Sequence, residues 1–294
     1  MKETATIERF FVCIGAQKAG TTWLARMLAR HPDIFMTPVK EIHYFDHLQG
    51  LAQHLGDRKR RSRYRKYHQR HWTQPHRWRE YAAQRDWYRD YMGSPIGDDW
   101  YRALFRARQG RAFAGEATPE YALIGREGFA HLKRLAPEAR LLYIVRNPVE
   151  RAWSQLLHQC RKTRTDAARL THDELVAITG TSEFRAHGDY GAVLGELGAV
   201  FPEDQIGIEF YEDIHADRAA ALARICGFIG LSDAPISGLA RRYNPSQRAA
   251  IPPGFREHLR RQYEGIAGEI ARRQGRLPQD WRDEFARAPD GTTI

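Results

Sequence analysis

Residues 15–23, GAQKAGTTW, hold two glycines, a lysine and two adjacent threonines. Gly15 and Gly20 keep the gap of a Walker A loop, G-x-x-x-x-G-K-[ST]. Thr21 stands where that loop has its lysine, and Lys18 lies inside the loop instead. Backbone amides around Ala19, Gly20, Thr21 and Thr22, the two threonine hydroxyls and the Lys18 charge suit a phosphate-like dianion. A second group sits in residues 140–155, RLLYIVRNPVERAWSQ. Its apolar run ends in Arg146, where an NTPase would supply a magnesium ligand. Ser154 follows eight residues later, so Arg146 and Ser154 can pinch one phosphate from two sides. Together the two segments point to an anionic nucleotide held without a metal.

These residues need a frame. Residues 7–15 (IERFFVCIG) read as a short buried strand. Residues 21–30 read as a helix with Trp23, Leu24, Met27 and Leu28 on one face. Strand, glycine loop and helix start aim amide N–H groups and the positive helix end at an anion. Residues 140–145 read as a parallel-sheet strand, which delivers Arg146 to its C-terminal end, where open α/β sheets bind ligands. Residues 113–117 and 205–210 read as further strands. Residues 98–108, 128–135, 149–159 and 216–229, and an amphipathic segment from Phe255 to Ile270, read as helices. The alternation predicts an α/β fold with a P-loop-like parallel β-sheet flanked by helices on both faces. No repeat or linker is evident, so residues 1–294 are read as one domain with a basic insertion at about 47–98.

The chain carries 46 Lys and Arg against 36 Asp and Glu, a formal charge of +10 that favours anionic ligands. No run of about 18 apolar residues predicts a membrane span. The first residues lack the apolar core of a secretory signal. Cys13, Cys160 and Cys226 are few and far apart, which suits a reducing cytoplasm and neither a disulfide framework nor a zinc site. The charge is densest in residues 57–80, DRKRRSRYRKYHQRHWTQPHRWRE. This segment reads as a partly helical surface insertion. A solvated face, a guide for an acidic acceptor, a lid and a peripheral membrane contact all stay open for it. Nucleic acid is set aside, because no RNA-binding fold accompanies the arginines and aromatics.

GAQKAGTTW and YIVRNPVERAWSQ resemble the 5′-phosphosulfate loop and the 3′-phosphate motif of sulfotransferases that use 3′-phosphoadenosine 5′-phosphosulfate (PAPS). KEIHYFD (40–46) is similar to the segment of heparan-sulfate-type sulfotransferases that carries the catalytic glutamate. DWYRALF (99–105) and GEATPEY (115–121) resemble acceptor-side segments, and FYEDI (210–214) and YNPSQR (243–248) later landmarks. The resemblance covers about residues 10–281, and 46–98 match least.

The resemblance implies the sulfotransferase fold, PAPS as donor, adenosine 3′,5′-bisphosphate (PAP) as product and no metal. It implies catalytic roles for Lys18, Glu41 and His43. Lys18 reaches the bridging oxygen, Glu41 is the general base with a pKa raised by burial, and His43 orients or tunes it or is itself the base. Donor contacts are implied for Gln17, Lys18, Ala19, Gly20, Thr21, Thr22, Trp23, Arg146 and Ser154. Ser246 and Arg248 substitute for a glycine-rich basic segment that this chain lacks. Acceptor contacts are implied for Glu41, Thr118 and Trp100. Asp46 reads as a turn residue. Glu116-Ala117-Thr118-Pro119 stands where heparan-sulfate enzymes have Glu-Lys-Thr/Ser-Pro. The missing lysine weighs against a glucosamine polysaccharide, and Lys40 is a substitute charge. The expected reaction sulfates a hydroxyl, or as second choice an amine, of a carbohydrate, lipid or small natural product. An ATP-using P-loop kinase or NTPase, and a non-enzymatic basic nucleic-acid- or membrane-binding protein, remain as other readings.

Overall fold

The computed structural model describes residues 6–51, 55–74, 76, 78–106, 108, 110–241, 243 and 249–286. Five parallel strands form the sheet: β1 (Phe10–Gly15), β2 (Ile34–Met36), β3 (Phe113–Ala117), β4 (Arg140–Val145) and β5 (Ile206–Phe210). Their order is β2-β3-β1-β4-β5. Every residue of β1 is buried, as expected of a parallel strand covered on both faces. Phe11 pairs with Gly115 on one side and Arg140 on the other. From β1 the chain runs out to β2, returns in β3 beside β1, and crosses to β4 on β1's other flank. The C-terminal ends of β1 and β4 therefore bracket the switch point at which such sheets take ligands.

Helices flank this sheet. α1 (Thr21–Leu28) buries Trp23, Leu24, Met27 and Leu28, the face its spacing predicts. α2 (Tyr44–Leu48), α3 (Asp57–Thr73), α4 (Trp78–Tyr91) and α5 (Asp98–Arg106) follow, then α6 (Gly125–Leu135) between β3 and β4. α7 (Pro148–Thr163) leaves β4 through an Asn147 cap that accepts from Val149 N at 3.0 Å. It runs one turn beyond the 159 boundary read from the sequence. Its Val149, Trp153 and Leu156 pack on Phe255, Leu259 and Tyr263 of α13 (Pro253–Gln274).

Some elements differ from the sequence reading. β2 has three residues, too few to show a period. The helix read at 216–229 is α12 (Arg218–Ile229), which Asp217 caps through Ala219 N and Ala220 N, and a short helix that the sequence reading did not mark, α11 (Tyr211–Ala216), precedes it. Between α7 and β5 lie α8 (His172–Thr179), α9 (Ser182–Ala186) and α10 (Tyr190–Gly198), capped by Thr171, Thr181 and Asp189. α14 (Gln279–Phe285) ends the described chain. No helix among the described residues is long and apolar enough to cross a membrane.

The basic insertion is a helical pair, α3 and α4. A Tyr67 ring stacked between Tyr81 (4.5 Å) and Tyr88 (4.0 Å) joins the two. Arg60 is not one of the surface charges. It is 4% exposed, and its Nη1 donates to the carbonyls of Tyr91 (2.9 Å) and Gly93 (2.8 Å). Its fork therefore ties α3 to the end of α4 and to Gly93 just beyond it. Arg60→Met should cost about 3 kcal/mol, since each hydrogen bond from a charged group is worth about 1.5–3. Arg61→Ser, at a side chain 70% exposed, should stay within about 0.5 kcal/mol. Urea unfolding of the two variants checks this; equal midpoints would remove Arg60 from the anchor.

Candidate active site

The loop after β1 and the turn after β4 open into one cleft of about 990 Å³. Gly20 caps α1 at φ 83°, and a Cβ there would lie 3.2 Å from the Tyr211 ring. No side chain caps this helix start: Trp23 N bonds to the Gly20 carbonyl at 2.9 Å, and the two residues before it, Thr21 and Thr22, are at the cleft. Gln17, Lys18, Gly20, Thr21, Thr22 and Trp23 line the cleft. Ala19 does not: its amide donates to the Ala16 carbonyl at 3.1 Å and its side chain is buried, so it shapes the turn and leaves the anion to its neighbours. Trp23 is a wall residue whose indole donates to the Leu239 carbonyl at 3.1 Å.

Arg146 and Ser154 reach the same cleft from β4 and α7. Arg146 Nη1 donates to the Lys18 carbonyl at 3.0 Å, and its guanidinium lies 4.6 Å from the Tyr211 ring centre. Tyr190 fixes the backbone by donating to the Arg146 carbonyl at 2.6 Å. The two motifs thus hold one another. Helical spacing from Ser154 adds His158 and Lys162 to the wall, a signal present in the sequence once α7 is carried to its full length. Burial, then the charges of Arg161, Arg146 and Lys162, lower the Lys18 pKa to about 8. Burial and the charges of Lys18, Lys162 and Arg161 hold His158 neutral, with a pKa of about 4.

Acids line the same cleft. Glu41 and His43 have left-handed backbones (φ 65° and 61°), as does Lys18 (φ 72°). Three of the five non-glycine residues with positive φ among those described therefore sit at this cleft, where strain of this kind tends to collect. Asp46 is more than a turn residue. It is fully buried in the first turn of α2, with Oδ2 2.7 Å from His43 Nδ1. His43 Nε2 lies 3.7 Å from Glu41 Oε2. Burial pushes His43 down, but Asp46 and Glu41 outweigh it and raise its pKa to about 9.

The expectation that burial raises the Glu41 pKa is corrected. Burial does push it up, but His43 and the ion pair with Lys40 hold it well below the usual carboxylate range. Lys40 is thereby paired with Glu41. Glu120, which sequence reading passed over, joins the cleft from the 3-10 turn Pro119–Leu123. Glu41, His43 and Glu120 each bring a polar atom within 4.8 Å of the others. An imidazole that is protonated offers no lone pair, and Lys40 and Lys18 crowd the carboxylates, so this trio suits proton handling better than a cation.

Two implied acceptor residues lie elsewhere. Thr118 is buried and donates to Glu116 Oε2 at 2.7 Å, in a cluster with Tyr101 and Tyr121. Trp100 is buried against Tyr91, whose carbonyl accepts from its indole at 3.2 Å, and borders a separate depression near Pro95. Neither lines the cleft. Ser246 and Arg248 fall outside the described residues. Cations that sequence reading did not assign also line the cleft: Arg218, Arg241, and Lys59, Arg63 and Lys66 from α3.

His43 should titrate near pH 9 by imidazole NMR, against an ordinary value of 6.5. Because its folded pKa is raised, its contribution to stability is full below about pH 6.5 and lost as pH rises through about 9. Asp46→Asn should lower that midpoint by at least one unit. A midpoint that stays near 9 in the variant would take Asp46 out of the site.

Against known proteins, the chain matches the model of the sulfotransferase family over residues 11–235. No curated protein matches it at a significant level. Its structure is similar to the crystal structure of a sulfotransferase from Alicyclobacillus acidocaldarius, with a TM-score of 0.66 and 22% identity over 95% of this chain and 100% of that one. At that identity the likeness speaks for the fold. The sulfotransferase domain of the Synechococcus PCC 7002 olefin synthase is more distant, with a TM-score of 0.49 and 23% identity over 80% of this chain and 76% of that one, and nothing is drawn from it. The family match spans well over half of the 294 residues and includes both motif segments, so the chain belongs to the sulfotransferase family.

Proposed function

We propose that this chain transfers a sulfuryl group from PAPS to a hydroxyl, or as second choice an amine, of a carbohydrate, lipid or small natural product. One observation carries the reading: Lys18, the open start of α1, Arg146 with Ser154, and Glu41 meet in one cleft. The cleft fits a nucleotide with phosphates at two ends. Arg146 Nε is buried with no partner among the described residues, a donor that asks for an anion. The first turn of α1 would take the 5′ end, and Arg146 with Ser154 the 3′-phosphate. Bound there, the donor supplies an activated sulfuryl group.

Lys18 serves the leaving side. Charge grows on the bridging oxygen as the S–O bond breaks, and a fixed ammonium favours that state over the ground state. Glu41 serves the acceptor side by accepting its proton as the new O–S bond forms. The low proton affinity of Glu41 keeps it a carboxylate at neutral pH, ready to accept a hydrogen bond. An ATP-using kinase fits less well, since β4 is followed by Arg146 where such an enzyme presents a magnesium-binding carboxylate.

Lys18→Ala should lower turnover by about 100- to 1000-fold while the protein stays folded. Incubation of extracts with enzyme and PAPS, read by mass spectrometry for a gain of one sulfuryl group, supplies the acceptor for that assay. Near-normal turnover would remove Lys18 from the mechanism.

Isothermal titration in EDTA tests the nucleotide. PAP should bind about 100- to 10,000-fold more tightly than ADP, from two contacts of about 1.5–3 kcal/mol to the 3′-phosphate. Arg146→Ala should erase most of that preference. PAP affinity should also fall as pH rises through about 8, because the free protein then loses the Lys18 proton that the bound anion stabilises. Equal PAP and ADP affinities in the wild type would overturn the assignment.

A further inference from the structure

The proposed transfer releases a proton. The acceptor O–H bond breaks as the O–S bond forms, and the S–O bond to the nucleotide breaks with its electron pair left on the nucleotide. The proton needs a group able to keep it. His43 cannot serve near neutral pH, since Asp46 and Glu41 already hold it protonated. Glu41 can take the proton but holds it weakly, because Lys40 and His43 stabilise its anion.

Glu120 is placed and solvated differently. It lines the same cleft, and its Oε1 accepts from Gln17 Nε2 at 3.4 Å. Its Oε2 is buried with no partner among the described residues. A carboxyl oxygen of Glu120 lies within 4.8 Å of Glu41 and of His43. That span suits one bridging water, with two hydrogen bonds of about 2.7 Å. Gln17 faces it from the loop after β1, Glu41 and His43 from the loop before α2, and Asp46 of α2 stands behind His43. Burial and then the Glu41 charge raise its proton affinity, and His43 opposes them. Two carboxyls whose surroundings push them apart in this way divide the proton work between them.

We propose that Glu120 is the resting place of the acceptor's proton, which passes from the acceptor oxygen to Glu41 and then, across at most one water, to Glu120. Glu120 releases it to solvent once the products leave. It acts through Glu41 and not on the acceptor. The inference rests on the sulfuryl-transfer reading above.

The test compares wild type, Glu120→Gln and Glu120→Asp, using the acceptor found by mass gain. PAP binding should stay within about threefold in all three. Turnover of Glu120→Gln should fall about 100-fold, and the acid limb of its kcat profile should move to lower pH. Glu120→Asp should restore the limb and most of the rate. A role in packing alone would lower the rate without moving the limb. In a second arm that needs no acceptor, carboxyl carbon NMR of the wild type should place the Glu120 midpoint above the ordinary glutamate value of 4.5. A midpoint at or below 4.5 overturns the relay. So does an unmoved limb in Glu120→Gln. A wild type that binds no PAP overturns the sulfuryl-transfer reading and the relay with it, whereas one that binds PAP and turns over, with Glu120→Gln unaffected, overturns the relay alone.

Discussion

Like charges crowded against one another set the terms for this protein. Lys18, Arg146 and Lys162 line one wall of the cleft, close enough that their repulsion, added to burial, brings the Lys18 pKa to about 8. Such an arrangement is unfavourable until an anion arrives, so something else must hold it together. Here the holder is backbone. β1 and β4 are hydrogen-bonded neighbours at the centre of the sheet, and each ends in a cation-bearing turn. Arg146 donates to the carbonyl of Lys18, so the two cations are fastened through a main-chain oxygen although their charges repel.

The acidic wall answers this charge without cancelling it. Glu41 is an anion because Lys40 and His43 make it one, and His43 is a cation because Asp46 and Glu41 make it one. Each protonation state depends on the next, and the chain of dependence ends in the buried Asp46 carboxylate. Lys18, from the loop after β1, and Glu41 and His43, from the loop before α2, all have left-handed backbone and line one space. The packed elements around them, β1 and α2 among them, hold that strain in place.

The basic insertion divides its arginines by depth. Arg60 is a structural anchor, while Lys59, Arg63 and Lys66 recur at helical spacing and face the cleft. Seen as a string of cations, the segment could not reveal that division, because its apolar content is too low to mark a buried face.

The sequence by itself determined the parts encoded in consecutive residues. The glycine loop and α1, the placing of Arg146 at the end of a strand, the Arg146–Ser154 spacing and the α/β alternation follow from turn chemistry and local period, and all are found in the fold. Tertiary structure alone decided where side chains went when distant segments had to meet. It turned Thr118 and Trp100 into buried hydrogen-bonding networks and brought Glu120 beside Glu41. It also reversed the expected proton affinity of Glu41. The reason is physical: a carboxyl's pKa is the balance of burial and neighbouring charge, and both are properties of the packed chain.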